Sequence, residues 1–407
     1  MSIARLAVRN LSRNRRRSLL TCIAVIAGVG IYVLGEGFIS GLDENIIVSV
    51  IDGTVGHVMA RPKGYPVQAM QHPIDELLQI PDAARELLDR ESVAWTERTL
   101  FTPLAASGQD SLRVVAIGYD PERDPKVFPR DLWKVLGTLP RPDAQEVAVS
   151  KRVARLLQLA PGKRLILQVR THKGAINALD VTVSGVMTAN NAAIDNLGVL
   201  VPQKLARTLI ASDQPSHLSV RLASRGDADA FAPKLAAALG QGSEVVTWRD
   251  ETADLLQVQA IRRRALDFAV FILMALAAFG IANTILMAAH ERVREVGTLR
   301  SMGMTEGSVL GLFLLEGALI GLIGGLMGAL WGGALVAHWS RSPIDFSQAL
   351  ERSQQTLSVS ALVYTRFSPP AIAAAMALGV VISILASIYP ARVASRMVPA
   401  EAVRADT

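Results

Sequence analysis

Four long apolar runs separate the parts of this 407-residue chain that suit a membrane from those that suit water. A helix needs about 20 consecutive, mainly apolar residues to cross a bilayer. The runs that reach this length lie at 19–40, 265–289, 307–336 and 371–390. The pattern therefore predicts four transmembrane helices.

The long segment between the first two runs, 41–264, has a mixed pattern. Stretches at 111–118, 164–169, 180–186 and 217–222 favour strands, and those at 81–88 and 228–239 favour helices. Within 146–169 we expect a strand, a helix, a Pro-Gly turn and a second strand. The predicted fold is an α+β membrane protein whose large mixed α/β extracytoplasmic domain lies between transmembrane helices 1 and 2.

The arginines near the ends of the runs predict the orientation. Cytoplasmic loops carry an excess of Lys and Arg. Segment 1–18 has no acidic residue and reads as an amphipathic helix at the inner membrane surface, followed by an anchor that is not cleaved; its arginines are Arg5, Arg9, Arg13, Arg15, Arg16 and Arg17. Both chain ends, including a tail at 391–407, are then cytoplasmic, and 337–370 is a second external loop. The net charge of +6 fits this topology, so no nucleic-acid partner is expected.

Segment 290–306 is short, charged and enclosed by two apolar runs. Apolar residues recur every third position in it, at Val293, Val296, Leu299 and Met302, and charged residues fill most of the remaining positions: Glu291, Arg292, Arg294, Glu295 and Arg300. The spacing predicts a short cytoplasmic helix. A component outside the membrane can grip such a helix and move both neighbouring transmembrane helices.

Small and polar residues inside the apolar runs are further candidates. The third run carries two glycine series with a spacing of four, namely Gly317, Gly321 and Gly325, and Gly324, Gly328 and Gly332. Such spacing lets helix backbones approach closely, either as a sliding seam or as static packing. Glu316 and Asn283 are intramembrane polar residues, and Glu36 is a candidate for a substrate entrance.

Motifs for nucleotide hydrolysis and other catalysis are missing from the sequence. It contains no G-x-x-x-x-G-K-[ST] phosphate loop, no H-E-x-x-H and no G-x-S-x-G. The six histidines have no metal-ligand spacing, and the lone Cys22 allows no intramolecular disulfide. We therefore expect no catalytic, cofactor or metal site in this chain.

Three blocks of sequence resemble one family of permeases. They are GIANTILM at 280–287 continuing into ERVREVGTLRSMG at 291–303, FLLEGALIGLIGGLMG at 313–328, and YPAR at 389–392 with PAEAVR at 399–404. Their order among four apolar runs resembles the ATP-binding cassette permeases of the MacB, LolC, LolE and FtsX type. The size of the external domain is most similar to the LolC and LolE architecture. MacB itself carries its ATPase ahead of the first span, where this sequence has about 18 residues.

The resemblance implies a mechanotransmission permease of the bacterial inner membrane. Cytoplasmic ATPase subunits bind ATP and Mg²⁺, a second permease subunit completes a homo- or heterodimer, and a periplasmic carrier or adaptor and membrane lipids are further partners. The family's coupling helix falls on 290–306, which assigns ATPase coupling to Glu291, Arg292, Val293, Arg294, Glu295, Val296, Arg300, Met302 and Gly303. The expected function is lipoprotein release or export of an amphiphilic substrate. An FtsX-like scaffold that regulates a periplasmic partner without transport, or a MacB-like efflux permease, stays open.

Overall fold

The computed structural model describes residues 6–7, 9, 15–65, 74, 77–131, 133–189, 191–345 and 362–396. Most of the predicted helix at 1–18 and of the tail at 391–407 lies outside these residues, as do positions 346–361 of the loop at 337–370 and the block at 399–404. The chain forms two compact units. The membrane unit comprises Met1–Asp43, Gln257–Ile344 and Tyr364–Thr407, and the β-rich unit comprises Glu44–Leu256 and Asp345–Val363.

The α-helices of the described residues follow in chain order. They are α1 (Arg15–Val50), α2 (Asp82–Glu91), α3 (Asp124–Val127), α4 (Lys151–Leu156), α5 (Ala192–Leu197), α6 (Gln203–Ile210), α7 (Ala228–Leu239), α8 (Trp248–Glu251), α9 (Ala253–Glu291), α10 (Val293–Ser301), α11 (Glu306–Trp339) and α12 (Pro369–Ser395). A π-helical turn, Ile51–Val55, continues α1, and a 3₁₀ turn, Arg225–Asp227, precedes α7.

The helices α1, α9, α11 and α12 are long and apolar enough to cross a membrane, which confirms the predicted fold class. All four extend beyond the predicted apolar runs, and two of them do so by about ten residues or more. Helix α1 continues to Val50, about ten residues past the predicted end, and α9 begins at Ala253, about twelve residues before its predicted start. These two longer extensions contain polar residues but no proline, so hydropathy drops there although the backbone hydrogen bonds of the helix continue.

The membrane unit has its own apolar core. Each of the four long helices contributes to it, with Val29 from α1, Ile281 from α9, Phe313 from α11 and Ala391 from α12. The large apolar side chains on the outside of these helices, such as Phe271 and Phe279, are exposed, as is usual for helices whose outer surface faces lipid.

The strands of the β-rich unit are β1 (Val58–Pro62), β2 (Ala94–Phe101), β3 (Leu104–Ser107), β4 (Asp110–Arg113), β5 (Val115–Tyr119), β6 (Lys134–Gly137), β7 (Glu146–Ser150), β8 (Arg164–Arg170), β9 (Ile176–Thr188), β10 (Gly198–Pro202), β11 (His217–Arg221) and β12 (Ser243–Thr247). They form one mixed sheet in the order β12-β1-β11-β2-β5-β10-β7-β9-β8-β3-β4, and β6 pairs with β9. The pairs β5–β10 and β7–β9 are parallel.

Two hydrophobic clusters pack on this sheet. One joins α2 and α7 to β1 and β11, through Leu88, Leu235 and Leu218 among others. The other joins α4 and α6 to β2, β7 and β8, with Phe101 and Leu165 fully buried. The predicted helix at 228–239 and the strand, helix, turn and strand of 146–169 are confirmed.

The single strand predicted at 111–118 is wrong. Strand β4 forms a hairpin with β3 around Gly108, whereas β5 pairs with β2 and β10. Between them, the Val114 N–H donates to the Pro103 carbonyl at 3.0 Å. Continuous apolar residues hid this break, because periodicity does not reveal where a strand changes its partners.

Candidate functional site

The connection between α9 and α11 contains the short helix α10. Arg292 is the single residue between α9 and α10, and the Val296 N–H donates to its carbonyl at 2.9 Å. After α10 the chain passes through Gly303, whose φ of +100° is a conformation that glycine adopts without strain. The Thr305 hydroxyl then caps α11 by accepting from the Ser308 N–H at 3.3 Å. We call residues 290–306 the coupling segment.

One face of the coupling segment is exposed and polar except at Met302. Its members are Glu291, Arg294, Glu295, Thr298 and Met302. On the other side Val296 is 5% exposed and belongs to the core of the membrane unit. Val293 is half-buried.

The period of three in the sequence did not place the apolar residues on one face. In an α-helix of 3.6 residues per turn, nine residues correspond to about two and a half turns. Positions 293 and 302 therefore differ by about half a turn, and α10 already ends at Ser301. As a result Val296 packs in the membrane unit, whereas Met302, 71% exposed, remains accessible.

Arg292 is buried in the middle of this charged segment and pairs with Glu316 of α11. Its Nη1 donates to Glu316 Oε1 at 3.2 Å, and the side chains are only 5% and 7% exposed. Glu316 lies ten residues into α11, or about 15 Å along its axis. The sequence singled out Glu316 but did not show its partner.

Arg300 holds the other end of α10. Its Nη1 donates to the Ser395 carbonyl at the end of α12 at 3.1 Å, and its Nη2 pairs with Glu306 at 3.0 Å. The coupling segment therefore contacts both α11 and α12 through arginine side chains.

The two glycine series of α11 face two different helices. A Cβ added at Gly321 would lie 2.7 Å from the Ser383 Cβ of α12, and one added at Gly325 would lie 3.2 Å from the Met376 carbonyl of the same helix. In the second series, a Cβ at Gly328 would lie 2.7 Å from the Ile26 carbonyl of α1. The neighbouring members share these partners: Gly317 faces α12, whereas Gly324 and Gly332 face α1. Glycine allows close backbone approach on both sides of α11.

Asn283 and Glu36 have different environments. The Asn283 side chain is exposed on α9. Glu36 is 8% exposed, accepts from the Ser40 hydroxyl at 3.0 Å and pairs with Arg263 of α9. An ion pair between α1 and α9 thus occupies the position for which the sequence indicated a substrate entrance, and that role stays a prediction.

A second polar arrangement, which the sequence did not indicate, holds residues 44–55. We call these residues the α1 C-terminal segment. Arg225 pairs with Glu44 through both terminal nitrogens at 2.8 and 3.2 Å, and Arg221 Nη1 donates to Asp52 at 3.0 Å. The Asn191 amide donates to the Ser49 carbonyl at 2.6 Å.

The same segment is tied to a buried guanidinium of β2. Arg98 donates to both carboxylate oxygens of Asp124, at 2.6 and 3.1 Å, and its Nη1 donates to the Gly53 carbonyl at 2.8 Å. Arg130 donates to Asp124 at 2.8 Å, and Arg98 lies over the Phe128 ring. The paired charges of Asp124 and Arg98 are 0% and 4% exposed.

His57 follows this segment. Its Nδ1 accepts from the Leu222 N–H at 3.1 Å, which requires the neutral ring. Burial, and then the charge of Arg221, hold the pKa of His57 below its ordinary value.

Within the part of the chain that the structure describes, no group of three or more His, Cys, Asp or Glu residues is arranged to hold a metal ion. The two arrangements above consist of ion pairs and hydrogen bonds that hold helices in place.

Comparisons with known proteins cover both units. The model of the MacB-like periplasmic core domain matches residues 18–238, more than half of the chain, and the model of the FtsX-like permease C-terminal region matches residues 268–399. The lipoprotein-releasing system transmembrane protein LolC of Xylella fastidiosa (strain 9a5c) is 22% identical over 406 residues, 95% of this chain and 93% of that protein.

Other similar proteins share smaller parts. The macrolide export ATP-binding/permease protein MacB 1 of Aeromonas hydrophila subsp. hydrophila is 29% identical over 64% of this chain and 38% of its own length. The crystal structure of the periplasmic region of MacB from Actinobacillus actinomycetemcomitans aligns with 51% of this chain and 97% of that structure at a TM-score of 0.36 and 14% identity. The chain belongs to the FtsX-like permeases with a MacB-like periplasmic core domain, and it is an ABC transporter permease of the bacterial inner membrane.

Proposed function

We propose that this chain transmits ATP-driven motion from a separate cytoplasmic ATPase to its periplasmic domain, and that the motion serves lipoprotein release. ATP and Mg²⁺ bind to the ATPase, since this sequence contains no phosphate loop. A second permease subunit, a periplasmic carrier or adaptor and membrane lipids complete the proposed assembly.

The exposed polar face of the coupling segment is the observation that carries the proposal. Glu291 and Glu295 lie four residues apart on it, and Met302 adds an exposed apolar side chain. Charged groups form strong hydrogen bonds when a partner desolvates them, and an apolar side chain adds buried area to the same contact. Short links at Arg292 and Gly303 connect α10 directly to α9 and α11.

The choice of cargo rests on the relatives. The two LolC proteins of Xylella fastidiosa match nearly the whole chain, and their name describes a lipoprotein-releasing system. The MacB proteins match a smaller share of the chain. Lipoprotein is therefore the cargo to test first.

The test reverses two charges on the exposed face. We expect Glu291→Lys with Glu295→Lys to insert in the membrane and dimerise normally, because both residues lie outside the apolar runs. The double variant should lose co-purification with the ATPase or the ATP-driven release of a labelled lipoprotein from proteoliposomes.

A matched control is the double variant Asp82→Lys and Glu86→Lys. These acids are also exposed and four residues apart on a helix, but they lie in the β-rich unit. Unchanged ATPase binding, turnover and release in the coupling-segment variant would contradict the proposal. ATPase binding together with a bound hydrolase or adaptor, but without release of any lipoprotein, would favour the FtsX-like scaffold.

A further inference from the structure

Arg292, on the buried side of the coupling segment, carries a charge that an ATPase bound to the exposed face does not need to contact. Arg292 is 4% exposed, whereas its neighbours Glu291 and Arg294 are exposed. Its partner Glu316 is equally buried, on a helix suited to cross the membrane. The pair therefore lies inside the permease.

Stability alone does not account for such a pair. Removing two charges from water is costly, and replacing a buried ion pair by apolar residues of similar volume is often neutral or stabilising. Charged residues within membrane helices usually pair with one another and mark functional positions. A buried ion pair does hold its two side chains in a defined geometry, because separating them would leave each buried charge without a partner, which is costly.

The positions of Arg292 and Glu316 show which helices this ion pair connects. Arg292 is the only residue between α9 and α10. Glu316 immediately precedes Gly317, and the glycines Gly317 and Gly321 pack α11 closely against α12. At this level α11 has little freedom to shift against α12, so a residue bound to Glu316 is bound to both helices.

We propose that Arg292 and Glu316 form a latch that makes the coupling segment and α11 move as one body. They are positioning residues: Arg292 transfers displacement of α10 to Glu316, and the glycine packing passes it to α12. This inference rests on the proposed function, since it assumes that a partner displaces α10. Without the latch, α10 tilts on its two short links while α11 stays in place.

The first test measures cargo released per ATP hydrolysed, with the full chain and the ATPase that co-purifies with it from native membranes. We expect Glu316→Gln to lower the release of a labelled lipoprotein per ATP by about five-fold or more, the lower range of typical coupling between sites. The exchanged pair Arg292→Glu with Glu316→Arg should recover part of the loss. A merely structural pair would lower assembly and hydrolysis in proportion to release.

A matched control applies the same kind of change to a carboxylate outside the coupling segment. Asp180 pairs with Arg164 at 3.0 Å within the β-rich unit, and its side chain is 49% exposed. Exposed pairs contribute little, so Asp180→Asn should leave release per ATP nearly unchanged.

The second test needs no ATPase. Spin labels at Thr298→Cys and Gly311→Cys, in a Cys22→Ser background, report the distance between α10 and α11. Thr298 is exposed, and no heavy atom lies within 4 Å of a Cβ added at Gly311. We expect a narrow distance distribution that broadens in Glu316→Gln.

The two tests separate the latch from the proposed function. A broadened distribution in a protein that binds no ATPase would support the latch and overturn the proposed function. A distribution that stays narrow, together with unchanged release per ATP, would overturn the latch.

Discussion

The coupling segment and the α1 C-terminal segment are both held by arginines, but to different extents. Along the coupling segment, Arg292 and Arg300 bind inward and one face stays exposed. Residues 44–55 are bound by side chains from other parts of the same β-rich unit, in contacts that are buried or half-buried. Under the proposed function, the coupling segment needs an open face to receive its partner, whereas residues 44–55 need firm contacts within their own domain to pass motion on.

The chemistry of the contacts can be described for both segments. In the coupling segment, Arg292 Nη1 donates to Glu316 Oε1 at 3.2 Å. Next to residues 44–55, Arg98 makes two bonds to Asp124 and a third to the Gly53 carbonyl, which fixes the guanidinium plane. The four predictions below test the contacts of residues 44–55, the helix packing of the membrane unit and the buried ring of His57.

The largest effect is expected from Arg98→Ala. This change leaves the fully buried Asp124 with Arg130 alone and frees the Gly53 carbonyl. Removing one partner of a buried pair typically costs about 3–5 kcal/mol. We expect a lower midpoint of urea unfolding in detergent, followed by tryptophan fluorescence. Arg113→Ala, at an exposed arginine of β4, is the control and should change stability by less than about 0.5 kcal/mol. Equal effects of the two changes would show that the Arg98 contacts are dispensable.

A smaller loss is expected from Gly321→Ala in the membrane unit. The added Cβ meets the Ser383 Cβ at 2.7 Å and the Val380 Cα at 2.9 Å. Overpacking of this kind costs about 1–3 kcal/mol. The readout is the fraction of protein that stays monodisperse after heating in detergent. Gly311→Ala has open space around the new methyl group and should show no loss. If Gly321→Ala were equally well tolerated, the packing of α11 against α12 would be looser than the structure indicates.

These positions also show what the sequence reveals and what it hides. The spacing of glycines along α11 predicted close packing, because that spacing is a local property of one helix. Which helix each glycine series faces depends on how the helices pack in the folded protein, and the sequence pattern does not contain that information. Arg292 illustrates the same limit: in sequence it resembles its exposed neighbours, and only the position of Glu316 on α11 distinguishes it.

The contacts of the α1 C-terminal segment were missed for a related reason. Arg98, Asn191 and Arg221 are more than 40 residues from the backbone groups or side chains that they bind. The local sequence carried no signal either, since Arg98 lies in TERT at 96–99 and resembles part of an exposed polar stretch.

Substitutions at two asparagines distinguish an effect on stability from an effect on the transmission of motion. The Asn191 amide donates to the Ser49 carbonyl, and the Asn177 amide donates to the carbonyls of Thr208 and Leu209 within the β-rich unit. Replacing either by alanine should cost about 1 kcal/mol, the usual net value of a hydrogen bond. Under the proposed function only Asn191→Ala should also lower lipoprotein release per ATP, because only it loosens residues 44–55. Equal release in both variants would mean that this contact transmits nothing.

The smallest effect is expected from pH and concerns His57. The buried ring accepts from the Leu222 N–H, and its pKa lies below the ordinary value of about 6.5 because of burial and the charge of Arg221. Above the ordinary pKa of about 6.5, both the folded and the unfolded chain carry a neutral ring, so His57 adds no pH dependence to the stability. As the pH falls below it, the unfolded chain binds a proton that the folded chain does not, and stability falls until the lower folded pKa is reached.

His57→Asn, whose amide oxygen can accept the same hydrogen bond, should remove this loss. The measurement is the difference in urea unfolding midpoint between the two proteins from pH 8 to pH 5. The difference should stay constant above about pH 6.5 and shift in favour of the variant below it. A difference that does not change across this range would show that His57 has the same pKa in the folded and unfolded chains.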